Sequence, residues 1–222
     1  VLDDADLGAT AESLRIGSFR NSGQVCSLKT RVVVPRSRER EFLEAFEAVV
    51  VSMPVGDPTD PDTQIGPLVS ERQRTRVESY IRTGRSEGAR VVVGGGRPAG
   101  LTSGYFVEPT IFADVDPSMT IAQEEIFGPV LCVLPFDDDD DALRIANDSA
   151  YGLSGGVFSA DEERATRFAR RVRTGSIGIN GGLWYGADSP YGGYKTSGVG
   201  RQNGVEGFEQ YLETKAVAWP SG

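Results

Sequence analysis

The stretch Asn21-Ser22-Gly23-Gln24-Val25-Cys26 leads, through Ser27 to Thr30, into Arg31-Val32-Val33-Val34-Pro35. A helical pattern breaks on Gly23, and a β-branched run closed by proline reads as a strand. This is a helix-to-strand turn with a cysteine at its centre. Backbone N–H groups at such a turn lack intrahelical partners, so they favour a thiolate nearby and can hold an oxyanion beside it. From these local features Cys26 has two readings, a small buried filler or an activated nucleophile.

Upstream, Leu7, Leu14, Ile16 and Phe19 form an imperfect helical face, with Asp3, Asp4 or Asp6 available as its cap. Val1-Leu2 reads as the end of a strand, which gives the domain the look of having been cut. Downstream, Phe42, Phe46, Val49, Val50 and Met53 recur at helical spacing. Pro54 to Pro67 holds too many breakers for a regular element. Ser70 then caps a charged helix running to about Glu87, with Val77 and Ile81 turned inward, and Arg90 to Val93 is the next strand. Gly94-Gly95-Gly96 follows, but without the lysine or the spacing of a phosphate loop.

Tyr105 to Val107 and Thr110 to Phe112 are strand-like on either side of Glu108-Pro109. Glu124-Glu125 precedes the apolar run Val130 to Leu134, in which Cys132 reads as a core thiol. Asp137 to Asp141 lacks the ligand spacing of a calcium loop and reads as a helix cap and first turn. Strands at Gly155 to Phe158 and Ser176 to Asn180 flank a helix from Asp161 to Val172. The alternation predicts an α/β fold, a mostly parallel sheet with helices on both faces. From Gly181 the chain turns to glycine, serine, proline and aromatics, among them Trp184, Tyr185, Tyr191 and Tyr194. A packed loop and a pocket wall both fit that composition. The tail from Glu213 to Trp219 is strand-like without an obvious partner in the chain.

The totals narrow the function. At 222 residues, 39% of them apolar, the chain can bury a sizeable core as one large domain or two small ones. A net charge of -9 argues against a nucleic-acid ligand. No apolar stretch approaches the roughly 20 residues that span a bilayer, and the first residues lack the regions of a signal peptide. A cytoplasmic location is the resulting expectation, with two free thiols and no disulfide framework. Histidine is absent, which excludes Ser-His-Asp and Cys-His pairs within the chain and any histidine-ligated metal; no metal site is expected.

Three separated motifs then stand in order: Asn21 to Cys26, Glu125-x-Phe127-Gly128-Pro129, and Pro190-Tyr191-Gly192-Gly193-Tyr194-Lys195-x-Ser197-Gly198-x-Gly200-Arg201. Together with Glu108-Pro-Thr-Ile-Phe112, Ala146-Asn147, Tyr151-Gly152-Leu153 and Ile179-Asn180 they resemble the aldehyde dehydrogenase superfamily over nearly the whole chain. The resemblance implies that Cys26 is a nucleophile that attacks an aldehyde, passing through a thiohemiacetal and a thioester to the acid. It implies that Glu125 binds the nicotinamide ribose of NAD or NADP, that Phe127 packs beside the same end of the cofactor, and that Tyr185 and Tyr191 line the substrate tunnel. It also implies a homo-oligomer, a dimer or tetramer.

The family's general base lies in a Glu-Leu-Gly-Gly-Lys motif that this sequence does not contain, and the rest of its cofactor-binding half is missing too. The expectation is therefore a catalytic α/β domain over residues 1–203 and a carboxy-terminal segment over 204–222 bearing an oligomerisation strand. In isolation the chain is expected to be inactive. The alternative is a non-catalytic, self-associating module.

Overall fold

The computed structural model describes residues 1–182 and 185–220. Trp184 lies outside the described residues. Helix α1 (Leu7–Phe19) starts at Asp6, whose side chain accepts the Ala9 N–H at 2.9 Å. Strand β1 (Arg31–Pro35) and helix α2 (Glu39–Val51) complete the first unit. Helix α3 (Glu71–Ser86) begins at Ser70, which accepts the Gln73 N–H, and β2 (Arg90–Val93) follows. After β3 (Thr110–Ala113), short helix α4 (Thr120–Gln123) and β4 (Val130–Phe136) comes α5 (Asp139–Asn147), capped by Asp138. The Asp137 to Asp141 run is thus the helix start that its composition implied, and among the described residues no group of acidic, cysteine or histidine side chains is placed to hold a metal. Then come β5 (Ser154–Val157), α6 (Glu162–Ala169), β6 (Ser176–Ile179) and α7 (Gly204–Glu209).

Four strands form one sheet in the order β1-β4-β3-β2, with β1 and β3 parallel to β4 and β2 antiparallel at the edge. Side-chain alternation along β4 divides the core. Val130, Cys132, Leu134 and Phe136 meet Val77 and Ile81 of α3, Ile121 of α4 and Ile145 of α5. Leu131 and Val133 meet Leu14 of α1 and Phe42, Phe46 and Val50 of α2. A strand covered on both faces must be apolar at every position, which is why β4 reads as an unbroken run. On the second face Phe42 and Phe46 stack at 5.5 Å, and Phe19 and Phe46 at 6.0 Å. Each such fully buried ring contributes about 1.5–3 kcal/mol by its removal from water.

The structure departs from the expected pattern at four places, two of them the ends of the chain, where Val1-Leu2 and Glu213 to Trp219 belong to no strand. Strands β5 and β6 pair in parallel with each other but form their own sheet rather than extending the first. Val1 and Leu2 lie between the two sheets: the Leu2 N–H donates to the Phe158 carbonyl at 2.8 Å and the Val1 amine to the Val33 carbonyl at 2.9 Å. Tyr105 to Val107 is not a strand. Phe106 and Val107 are buried, but the Tyr105 carbonyl accepts the Leu68 N–H, so their apolar pattern reports packing rather than ladder pairing. The tail from Glu213 to Pro220 is exposed and joins no ladder within the described residues. No helix among them is long and apolar enough to cross a membrane.

Candidate functional site

The turn before β1 is built from three successive left-handed residues, Asn21, Ser22 and Gly23, at φ 53°, 56° and 76°. Side chains avoid this region, so two non-glycine residues there need external support. Ser22 Oγ donates to the Gly66 carbonyl at 2.9 Å, and Gln24 Oε1 accepts the Val69 N–H at 3.0 Å. Gly23 has no room for a side chain: a Cβ would lie 2.6 Å from Pro129 N and overlap the Gly128 carbonyl. This contact places the cysteine turn directly against the Glu125 to Pro129 motif. Cys26 is exposed, and its backbone N–H donates to no group among the described residues.

Helix α3 holds that second motif by its main chain. Gln73 Nε2 donates to the Ile126 and Phe127 carbonyls at 3.3 and 2.7 Å, and Arg76 Nη2 donates to the Glu125 carbonyl at 2.6 Å. Tyr80, one turn on, donates to Glu124 Oε2 at 2.6 Å. Burial and that hydrogen bond both raise the Tyr80 phenol, so it remains a donor. The clamp fixes Phe127 at φ 59°, with the residue 38% exposed. Glu125 is exposed, and among the described residues its carboxylate has no hydrogen-bond or ion-pair partner. Of the two adjacent carboxylates, one is thus tied down by Tyr80 and the other has both oxygens available. Gln73, Arg76 and Tyr80 escaped the sequence reading because α3 presents as a charged, solvated helix; the faint signal was their spacing along the stripe of Val77.

The third motif reaches Cys26 directly. The Tyr191 hydroxyl lies 3.9 Å from Cys26 Sγ, and the Tyr185 and Tyr191 rings meet at 4.8 Å with a 55° tilt. Tyr191 is fixed by paired backbone bonds with Gln202, both at 2.7 Å. The loop around it is fastened by the Gly152 N–H to Ser197 Oγ and by Thr196 Oγ1 to the Ala150 carbonyl. Lys195 Nζ donates to the Asn147 and Ser149 carbonyls, both at 2.8 Å.

Those carbonyls belong to the carboxy end of α5, and two further segments end there. Arg31 Nη2 donates to the Ile145 and Asp148 carbonyls, and Gln123 Nε2 to the Asp148 carbonyl at 3.1 Å. Cations suit a helix carboxy-terminus, whose last carbonyls are unpaired and carry partial negative charge. Arg31 follows the cysteine turn, Gln123 precedes Glu125, and Lys195 follows Tyr191. One helix end therefore anchors all three motifs.

The arrangement encloses a cleft of ≈ 480 Å³ lined by Cys26, Glu125 and Phe127 among others. Tyr185 and Tyr191 do not line it; Cys26 stands between the cleft and the tyrosine pair. Lys29 also lines the cleft, and burial lowers its pKa, with Arg20 adding to the effect. Cys132 is buried in β4, as its sequence context implied. A bare thiol, a free carboxylate and a half-exposed ring around one cleft fit a small electrophile beside a ligand with vicinal hydroxyls.

A family model described as the aldehyde dehydrogenase family matches residues 1–217. The chain is 49% identical over 218 residues to a betaine aldehyde dehydrogenase of Rhizobium etli (strain CIAT 652), covering 98% of this chain and 45% of that protein. It is 48% identical to a 3-succinoylsemialdehyde-pyridine dehydrogenase of a Pseudomonas species, covering 98% of this chain and 46% of that one. Among solved structures, a Mycobacterium tuberculosis aldehyde dehydrogenase complexed with NAD+ superposes with a TM-score of 0.94 at 52% identity, covering 100% of this chain and 46% of that chain. A mutant of aldehyde dehydrogenase C from Pseudomonas syringae, complexed with NAD+ and octanal, gives 0.93 at 45% identity, covering 97% and 44%. The chain spans about half the length of the curated relatives it matches. With sequence match and backbone superposition both running along its whole length, the chain belongs to the aldehyde dehydrogenase family.

Proposed function

We propose that this chain is the nucleophile-bearing portion of an NAD(P)-dependent aldehyde dehydrogenase that oxidises an aldehyde to a carboxylic acid. The observation that carries the reading is the shared cleft: an exposed Cys26 lines it together with Glu125 and Phe127. The Cys26 thiolate forms a C–S bond to the aldehyde carbon as the carbonyl electron pair moves onto oxygen, giving a thiohemiacetal. The Cys26 N–H, free of other partners among the described residues, is available to that oxyanion.

The residues present fit the cofactor. An unpartnered carboxylate accepts two hydrogen bonds from a ribose diol, which suits Glu125, and the exposed Phe127 ring offers a face to a flat heterocycle. When bound, the nicotinamide supplies a two-electron acceptor for the aldehyde C–H. What Cys26 then carries is a thioester, which water cleaves to the acid. In this reading the base that activates the water belongs to the Glu-Leu-Gly-Gly-Lys motif that the sequence does not contain, and the isolated chain does not turn over.

Mass mapping of iodoacetamide adducts tests the reading. Cys26 should be labelled at neutral pH at least tenfold faster than Cys132, and a millimolar aldehyde should protect it by forming the thiohemiacetal. Faster labelling of Cys132, or no protection, would overturn the assignment.

A second reading is favoured by one observation. Phe208, Tyr211, Leu212, Val217 and Trp219 are all exposed on the segment from 204 onward, an apolar strip that suits a subunit contact. In this reading the chain is a self-associating module, dimeric or tetrameric. A strictly monomeric species by size-exclusion chromatography with light scattering at high concentration would remove its support.

A further inference from the structure

Tyr191 does more at this site than bound a space. Its hydroxyl is the hydrogen-bonding partner of Cys26 Sγ among the described residues, at 3.9 Å, within reach for a sulfur acceptor. Its backbone is locked on both sides by Gln202, and its ring is braced by Tyr185. The loop that carries it is bolted to the 147–152 segment by Lys195, Thr196 and Ser197, so the phenol is held in place before any substrate arrives. We propose that Tyr191 is a catalytic hydrogen-bond donor that stabilises the Cys26 thiolate through its phenolic hydroxyl.

A thiolate can only accept, so its partner must keep its proton. Burial first, then the facing Cys26 and Tyr185, raise the Tyr191 phenol well above its ordinary value, so it remains a donor wherever the thiolate exists. The ionisable groups lining the cleft beside Cys26 are the Val1 amine, Lys29, Arg31, Glu124, Glu125, Tyr151 and Arg173, with Tyr191 on the far side of the sulfur. Arg31 is committed to the Ile145 and Asp148 carbonyls and Glu124 to Tyr80. Tyr191 is the group whose donor meets the sulfur. The inference rests on Cys26 being the nucleophile, and it adds which side chain meets that nucleophile's sulfur in a protein without histidine.

The test is the pH profile of Cys26 alkylation by iodoacetamide in this polypeptide and its Tyr191→Phe variant, with Cys132 as internal control. The expected result is about a tenfold slower rate in the variant at pH 7.5, converging with the parent by pH 10, where the thiolate forms unaided. Equal rates at pH 7.5, or a slowing that is the same at every pH and so reports access, would overturn the donor role and leave the nucleophile assignment intact. A parent Cys26 no faster than Cys132 would overturn both. If Tyr191→Phe exposes Cys132 to labelling and so has lost its fold, the reciprocal measurement decides. In Cys26→Ser protein labelled with ¹³C-tyrosine, one phenol should titrate at lower pH than in the parent, and an unchanged set of titrations would overturn the inference.

Discussion

Cys26 and Cys132 carry the same thiol into opposite surroundings. Cys132 lies in the middle of β4, paired in register with Arg31, and donates weakly to the Ile121 carbonyl at 3.4 Å. Burial pushes its pKa up to about 12, with nearby Arg31 opposing the shift in part, so at neutral pH it is an inert thiol. Cys26 precedes Arg31 on a turn whose backbone is bent into the left-handed region and whose sulfur faces a cleft. The contrast teaches that place in the fold, a strand with both faces covered or the turn that feeds its neighbour, separates a thiol shut in the core from one open to a cleft. The turn reaches that geometry by fitting Gly23 against a second motif, and the strand by simple alternation.

The comparison breaks first at Gly23. Gly23→Ala should destabilise the fold by about 3 kcal/mol, since a Cβ at positive φ must also displace the Gly128 backbone. Urea unfolding would measure this, and a midpoint unchanged from the parent would show the turn to be adaptable. The same variant should slow Cys26 alkylation, because the turn cannot relax without moving the sulfur.

Raising the pH probes the other thiol. A buried thiol that ionises at about 12 when folded and near 8.5 when unfolded stabilises the fold fully below the unfolded value, and that contribution is lost progressively as pH rises toward the folded one. Stability by urea melts should therefore fall more steeply from pH 8 to pH 10 in the parent than in Cys132→Ala. Parallel declines would mean that Cys132 is accessible to hydroxide in the native state. The smallest effect is Cys132→Ala itself at pH 7, a loss of about 1 kcal/mol from a small cavity. It should leave the rate of Cys26 alkylation unchanged.

What the sequence disclosed was local. Asp6, Ser70, Asp138 and Asp161 each begin the helix that follows them, because a cap needs only its own next three residues. The unbroken apolar run of β4 marked a strand covered on both faces. The separation of β5 and β6 from the main sheet left no such trace, since a Ser-Gly-Gly-Val strand advertises neither partner nor face. At the site, Cys26 and Tyr191 are 165 residues apart in the chain, and only their membership of three motifs in order hinted that they meet. The grip of α3 on the Glu125 to Phe127 carbonyls was invisible, because a main-chain acceptor is the same whatever residue bears it.

The carboxy end of α5 receives Arg31, Gln123 and Lys195 from three distant segments. A shared abutment of this kind makes the Cys26 thiol, the Glu125 carboxylate and the Tyr191 phenol travel as one body. Rocking of α5 against the sheet would carry all three together, preserving their mutual spacing while changing the aim of the whole assembly.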